Sequence, residues 1–125
     1  MIRNLTEDEC RYAVKNSDFS EDLVKGKASV IILTQSWCPQ WIAVKSYLAE
    51  AEKKAAEKTG TDINIYTIEY DIAEWRQLEH EDFMSFKENI FQNYEIPYIR
   101  YYRDGIFSGD SNYVSQDEFF RHIFP

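Results

Sequence analysis

The sequence predicts an α/β fold built on a mixed sheet, and three observations predict it. A continuous apolar run at residues 28–33 leads into a helical pattern that begins at Pro39. A second, mostly apolar run at residues 63–70 follows that helix, so the two strands and the helix form a right-handed βαβ crossover with a parallel pair. Residues 98–103 and 106–108 flank Asp104-Gly105, a hairpin signal that adds an antiparallel pair.

Each element has a local justification. Thr6-Glu7-Asp8-Glu9 is a capping box that opens a first helix. Leu5 and Cys10 form a hydrophobic-staple pair around it, and Cys10, Ala13 and Val14 share one face. Cys10 therefore reads as a small buried apolar residue, with a distant resolving thiol as the alternative. Residues 17–27 read as a short helix or loop ending near Gly26. The run at 28–33 carries three β-branched residues and suits a central strand buried on both faces. Pro39 fits the first helical position, where its missing N–H is not needed. That helix is expected to run to about Lys58, with Gly60 as its stop and Trp41, Val44, Leu48, Ala51 and Ala55 as its apolar stripe. Residues 71–94 return to a helical pattern, with Phe83, Phe86, Ile90 and Tyr94 on the inner face and Lys87 at its edge. Pro97 stops that helix and holds Ile96 extended. Ser115-Gln116-Asp117-Glu118 is a second capping box, opening a terminal helix that presents Phe119, Phe120, Ile123 and Phe124.

Composition bounds the function. The chain of 125 residues fits one domain, residues 1–125, with no repeat or linker. Hydrophobic residues make up 44% and aromatic residues 16%, too apolar for a disordered chain. A formal charge of −8 argues against nucleic acid and anionic membranes as partners. No stretch suits a membrane span or a signal peptide, so a cytoplasmic location is expected. Two cysteines are too few for a disulfide-stapled scaffold, and His80 and His122 lack metal-ligand spacing, so no metal is expected. No motif implies a cofactor. No nucleophile–histidine pair, carboxylate dyad or glycine-rich phosphate loop can be read from the spacing.

The chemistry concentrates in Trp37-Cys38-Pro39-Gln40-Trp41, at the junction of the central strand and the next helix. A cysteine there has its sulfur near free backbone amides and the positive end of the helix dipole, which favour the thiolate. The amides of Gln40 and Trp41 are the expected donors to it, because Pro39 has none. The thiolate is the nucleophile of disulfide exchange. An inert cysteine is the alternative. Trp41 begins the apolar stripe, so it either packs or contacts a partner beside the thiol. Gln40 is either a site residue or a solvated first-turn residue.

The order of elements and three motifs resemble the thioredoxin superfamily, from about Leu23 to Phe124. The motifs are Trp37-Cys38 after the central strand, Glu95-Ile96-Pro97-Tyr98, and Tyr101-Tyr102-Arg103-Asp104-Gly105. The resemblance implies a three-layer fold with a central mixed sheet of four to five strands flanked by helices. It implies Cys38 as the catalytic thiol and Pro97 as the family's cis-proline, against an ordinary trans proline. It also implies that Ile96 pairs its backbone with a bound peptide and that Trp37 touches partners. The implied binding set is Trp37, Pro39, Gln40, Trp41, Ile96 and Pro97.

The departures from the family define the expected function. Trp41 stands where the second cysteine belongs. Cys38-Pro39 is similar to glutaredoxins and to some bacterial thioredoxin-like accessory proteins. The family's buried acid falls at Ile32, and the segment between Asp71 and Pro97 is longer than in a minimal thioredoxin. A monomeric single-thiol protein is expected, forming mixed disulfides with a protein or peptide, or with a low-molecular-weight thiol such as glutathione. The rival readings are a non-catalytic interaction module and an accessory protein for export or maturation of a secreted peptide.

Overall fold

A computed structural model describes residues 1–60 and 62–124. The elements run β1 (Ile2–Asn4), α1 (Glu7–Asn16), α2 (Glu21–Val24), β2 (Ala28–Thr34), α3 (Pro39–Lys45), α4 (Leu48–Thr59), β3 (Asn64–Glu69), α5 (His80–Asn89), β4 (Tyr98–Arg103), β5 (Ile106–Ser111) and α6 (Gln116–Ile123). The sheet order is β1-β3-β2-β4-β5. The β1–β3 and β3–β2 pairs are parallel, and the β2–β4 and β4–β5 pairs are antiparallel.

All seven residues of β2 are buried, because helices cover both faces of the sheet. Side chains alternate across a strand, so β2 feeds two cores. Val30 and Ile32 pack with Trp41, Val44, Leu48, Ala51, Ala55 and Phe119 from α3, α4 and α6. Ile31 and Leu33 pack on the other side with Cys10, Ala13, Phe83 and Phe86 from α1 and α5. Each such aliphatic side chain contributes about 1.5–3 kcal/mol on burial. The register pairs Leu33 with Ile68 on one side and Tyr98 on the other. The end of β2 thus lies between the end of β3 and the start of β4, and this brings three loops to the thiol.

The first capping box forms in full, with Thr6 Oγ accepting from the Glu9 amide at 3.1 Å and Glu9 Oε1 from the Thr6 amide at 2.9 Å; at the second, Ser115 Oγ accepts from the Glu118 amide at 3.3 Å. At the hairpin, Asp104 (φ 51°) and Gly105 (φ 80°) both take the left-handed region that such a turn requires. The return strand reaches Ser111, beyond the predicted Ser108, after a bulge opposite Tyr101 and Tyr102.

Three expectations need correction. The helix predicted from Pro39 to Lys58 is two helices, broken at Ser46-Tyr47. Tyr47 stays in the right-handed region, but its amide donates to the Val44 carbonyl three residues back at 3.1 Å, and its hydroxyl donates to the Val114 carbonyl at 2.9 Å, a tertiary bond that local pattern does not encode. The helix predicted over 71–94 is confined to His80–Asn89. Ahead of it, the Glu7 carboxylate accepts from the amides of Gln77, Leu78 and Arg76 at 2.6, 2.8 and 2.9 Å. Those bonds, that of Gln77 foremost, hold the Glu7 carboxyl below the ordinary range. They satisfy amides that a helix would otherwise have used. Past the helix, Ile90 and Tyr94 are exposed instead of facing inward. Lys87 is fully buried instead of lying at an edge; its ammonium donates to the Asn93 carbonyl at 3.0 Å, and desolvation pulls its pKa down. The edge strand β1 was not predicted. Its pairing with β3 creates it, since two of its three residues are exposed.

Candidate functional site at the end of the central strand

After Thr34 the chain turns through Gln35, Ser36 and Trp37, and the Cys38 amide closes the turn on the Gln35 carbonyl at 3.3 Å. Residues just past β3 hold this turn. Asp71 accepts from the Ser36 amide at 2.8 Å and from its hydroxyl at 2.6 Å. The Gln35 side chain donates to the Tyr70 hydroxyl at 3.2 Å and accepts from the Trp37 indole N–H at 2.6 Å. Burial pushes the Tyr70 pKa up, so its hydroxyl stays neutral as an acceptor. Trp37 is 64% exposed, yet its ring is oriented by that bond.

Cys38 is the N-cap of α3, with extended backbone and Pro39 following in the first turn. Its side chain makes no capping bond. The sulfur therefore does not receive the Gln40 and Trp41 amides as expected. It reaches across to the segment before β4, where its S–H donates to the Ile96 carbonyl at 3.6 Å. The thiol residue is only 5% exposed. The Ile96–Pro97 peptide bond is cis. Pro97 is buried, and its carbonyl accepts from the Asn112 side chain at 3.1 Å. Asn112 and Asn93 exchange two further amide bonds, and Lys87 binds the Asn93 carbonyl. A chain of polar contacts thus runs from α5 through two loops to the proline beside the thiol.

Trp41 is 2% exposed and sits in the core with Val44 and Leu48. Its indole N–H donates to Glu69 Oε2 at 2.8 Å, and the Lys45 ammonium lies 5.9 Å from its ring. Of the two roles open to Trp41, the structure shows packing; the indole offers no surface to a partner. Pro39 and Gln40 are exposed. Trp37, Cys38, Pro39, Gln40, Ile96 and Pro97 thus meet at one end of the sheet, while Trp41 lies beneath them. Cys10 is fully buried in the opposite core, both thiols are free, and desolvation raises the Cys10 pKa strongly.

Sequence reasoning missed Glu69, Tyr70 and Asp71. They sit where β3, the parallel neighbour of β2, ends. Ligands and site residues favour the carboxyl ends of such strands, and that was the usable signal.

Among solved structures, Trxlp from Edwardsiella tarda EIB202 superposes with a TM-score of 0.64 over 100% of both chains, at 12% identity. Oxidised thioredoxin from Plasmodium falciparum gives 0.61 over 98% of this chain and 95% of that one, at 10% identity. Thioredoxin O2 from Arabidopsis thaliana, in its oxidised state, gives 0.59 over 96% and 89%, at 13% identity. No family model matches the sequence, and no curated protein matches it significantly. At these identities the likeness concerns the backbone, and it defines the class: this chain has the fold of the thioredoxin-like superfamily.

Proposed function

We propose that this chain is a monothiol thioredoxin-like protein that carries out thiol–disulfide exchange through Cys38. The carrying observation is the pairing of a thiol at the α3 N-terminus, beside cis-Pro97, with a buried tryptophan where a resolving cysteine would stand. The Cys38 thiolate attacks one sulfur of a partner disulfide. A Cys38–partner disulfide forms, the partner's S–S bond breaks, and the second sulfur leaves as a thiolate that takes a proton from water. Cys10 is held across the sheet, so release requires an external thiol, which either attacks the partner sulfur and frees the Cys38 thiolate, or attacks Cys38 Sγ, frees the partner's thiolate and is itself removed from Cys38 by a second thiol. The cycle is redox-neutral for the chain and suits isomerisation or partner capture. A cytoplasmic setting, rich in reduced thiols, fits it. Among the described residues no helix is long and apolar enough to cross a membrane.

One observation favours the rival, a non-catalytic interaction module: the thiol is nearly covered and its proton is already engaged by Ile96. Alkylation separates the two. The exchange reading expects Cys38 to react faster than a free-cysteine peptide near neutral pH. It also expects a mixed disulfide, seen by mass, that Cys38→Ser abolishes. Labelling no faster than the peptide assigns the chain to the interaction class.

A further inference from the structure

Four of the exposed large apolar side chains, Trp37, Ile42, Ile72 and Tyr94, stand within a few residues of the segments that meet at Cys38. Each is tied to the site. Trp37 precedes the thiol. The Ile42 amide donates to the Cys38 carbonyl at 3.1 Å, one helical turn on. Ile72 follows Asp71, which holds Ser36. Tyr94, 70% exposed, stands two residues before the carbonyl that meets the sulfur. Grouped exposure of large apolar residues marks an interaction face, and aromatic residues are the usual anchors.

The charge of the framing segments identifies the occupant. Residues 69–82 carry six carboxylates against Arg76 and His80. Residues 88–95 add Glu88 and Glu95 with no cation, and α3 offers only Lys45. Beside Trp37 lies a cleft of about 180 Å³ lined by Gln35, Tyr70, Asp71, His80, Glu81 and Met84. Its apolar wall of Met84 and the Tyr70 ring suits an aliphatic stem, and Glu81 suits a cationic head, with the negative charge of Asp71, whose two oxygens already accept from Ser36, behind it. The His80 ring is already engaged with the Ala73 carbonyl at 2.7 Å.

We infer that this face docks a cationic polypeptide, with lysine or arginine near an apolar-flanked cysteine, in preference to glutathione. Glutathione carries two carboxylates and one ammonium, so an acidic rim repels it. The exchange that follows docking rests on the monothiol reading of Cys38; the docking itself does not.

The test reads the two separately. Docking is measured by calorimetry on Cys38→Ser protein, with two peptides of matched length in which serine replaces cysteine between apolar residues. One peptide is flanked by lysines and the other by glutamates. The lysine peptide is expected to bind about tenfold more tightly at low salt, the sum of several exposed ion pairs. That ratio collapses toward unity as salt shortens the screening length to about 3 Å near 1 M. The double variant Glu81→Gln/Glu95→Gln lowers the ratio by roughly threefold. Equal binding, preference for glutamate, or binding of neither peptide overturns the inference. In the second arm, wild-type protein meets the cysteine forms of both peptides and glutathione, each as its nitrobenzoate-thiol disulfide, so that the leaving group is the same. Selective docking without exchange rejects the monothiol function and leaves the docking surface standing. Equal exchange with all three substrates rejects the docking surface and leaves the function standing.

Discussion

Replacing Trp41 with cysteine would restore a thiol three residues after Cys38 on the same helix. Its effect follows from what Trp41 does now. The indole is 2% exposed and packs among Val44, Leu48 and the sheet. Truncating a buried aromatic costs about 3–5 kcal/mol, the lost transfer energy plus the cavity left behind. The N–H bond to Glu69 is charge-assisted, a class worth about 1.5–3 kcal/mol when desolvated. Glu69 is half-buried, so water recovers much of that bond, and the cavity dominates. Folded chains of this size hold about 5–15 kcal/mol, so Trp41→Cys is expected to lose about a fifth or more of its stability. Trp41→Phe keeps a six-membered ring but loses the pyrrole portion with its N–H, at an expected cost of about 1–3 kcal/mol, below that of Trp41→Cys. Urea unfolding of both variants and the wild type supplies the comparison, and thiol counting after oxidation tests whether Cys38 and the new cysteine pair. Trp41→Cys within about 1 kcal/mol of the wild type would refute a core role for the indole. Equal losses in Trp41→Cys and Trp41→Phe would show that the Glu69 bond, not packing, holds the residue.

Alkaline pH should destabilise the fold. Desolvation pushes Tyr98 up to about 12, and Tyr47 and Tyr101 higher still, from an ordinary 10.0. Their contribution is fully present below the unfolded value and is lost as pH rises through the folded values, because the unfolded chain sheds those protons first. Lys87 acts oppositely: its depressed value means its penalty is relieved as pH rises toward 10.5, but one lysine stands against three tyrosines. Unfolding midpoints that do not fall above about pH 10, with tyrosinate absorbance appearing in the native protein there, would contradict this. Mild oxidation should leave Cys10 and Cys38 unpaired, since they occupy opposite cores, and mass spectrometry should find Cys10 labelled only after denaturation. A stable Cys10–Cys38 bond would remove the single-thiol reading.

What was legible in the sequence was what short-range chemistry specifies. Thr6 with Glu9, Ser115 with Glu118, and Asp104-Gly105 act through bonds within a few residues, and all formed where their pattern placed them. The central strand was legible because burial on both faces leaves an unbroken apolar run. What failed depended on distant partners. The break at Tyr47 answers to Val114, and the coil before α5 answers to Glu7, about seventy positions away. β1 exists through β3. At the site, the position of Cys38 was readable from the strand-to-helix junction, but the direction of its sulfur was not. Ile96 supplies an acceptor 58 positions on, which no helix-terminus argument contains.

Two departures that the resemblance implies meet in one place. By that resemblance Ile32 falls where a buried acid is expected and Trp41 where a second thiol is expected, and both lie in the same core. A buried carboxylate without a partner costs several kcal/mol, and an apolar Ile32 packs at no such cost. The carboxylate that remains near this helix is Glu69, half-buried and bonded to the indole N–H, where water and a donor both stabilise its charge. Ile32 and Trp41 both serve as packing on the inner side of α3. On the outer side, Trp37 is exposed and Cys38 meets the Ile96 carbonyl.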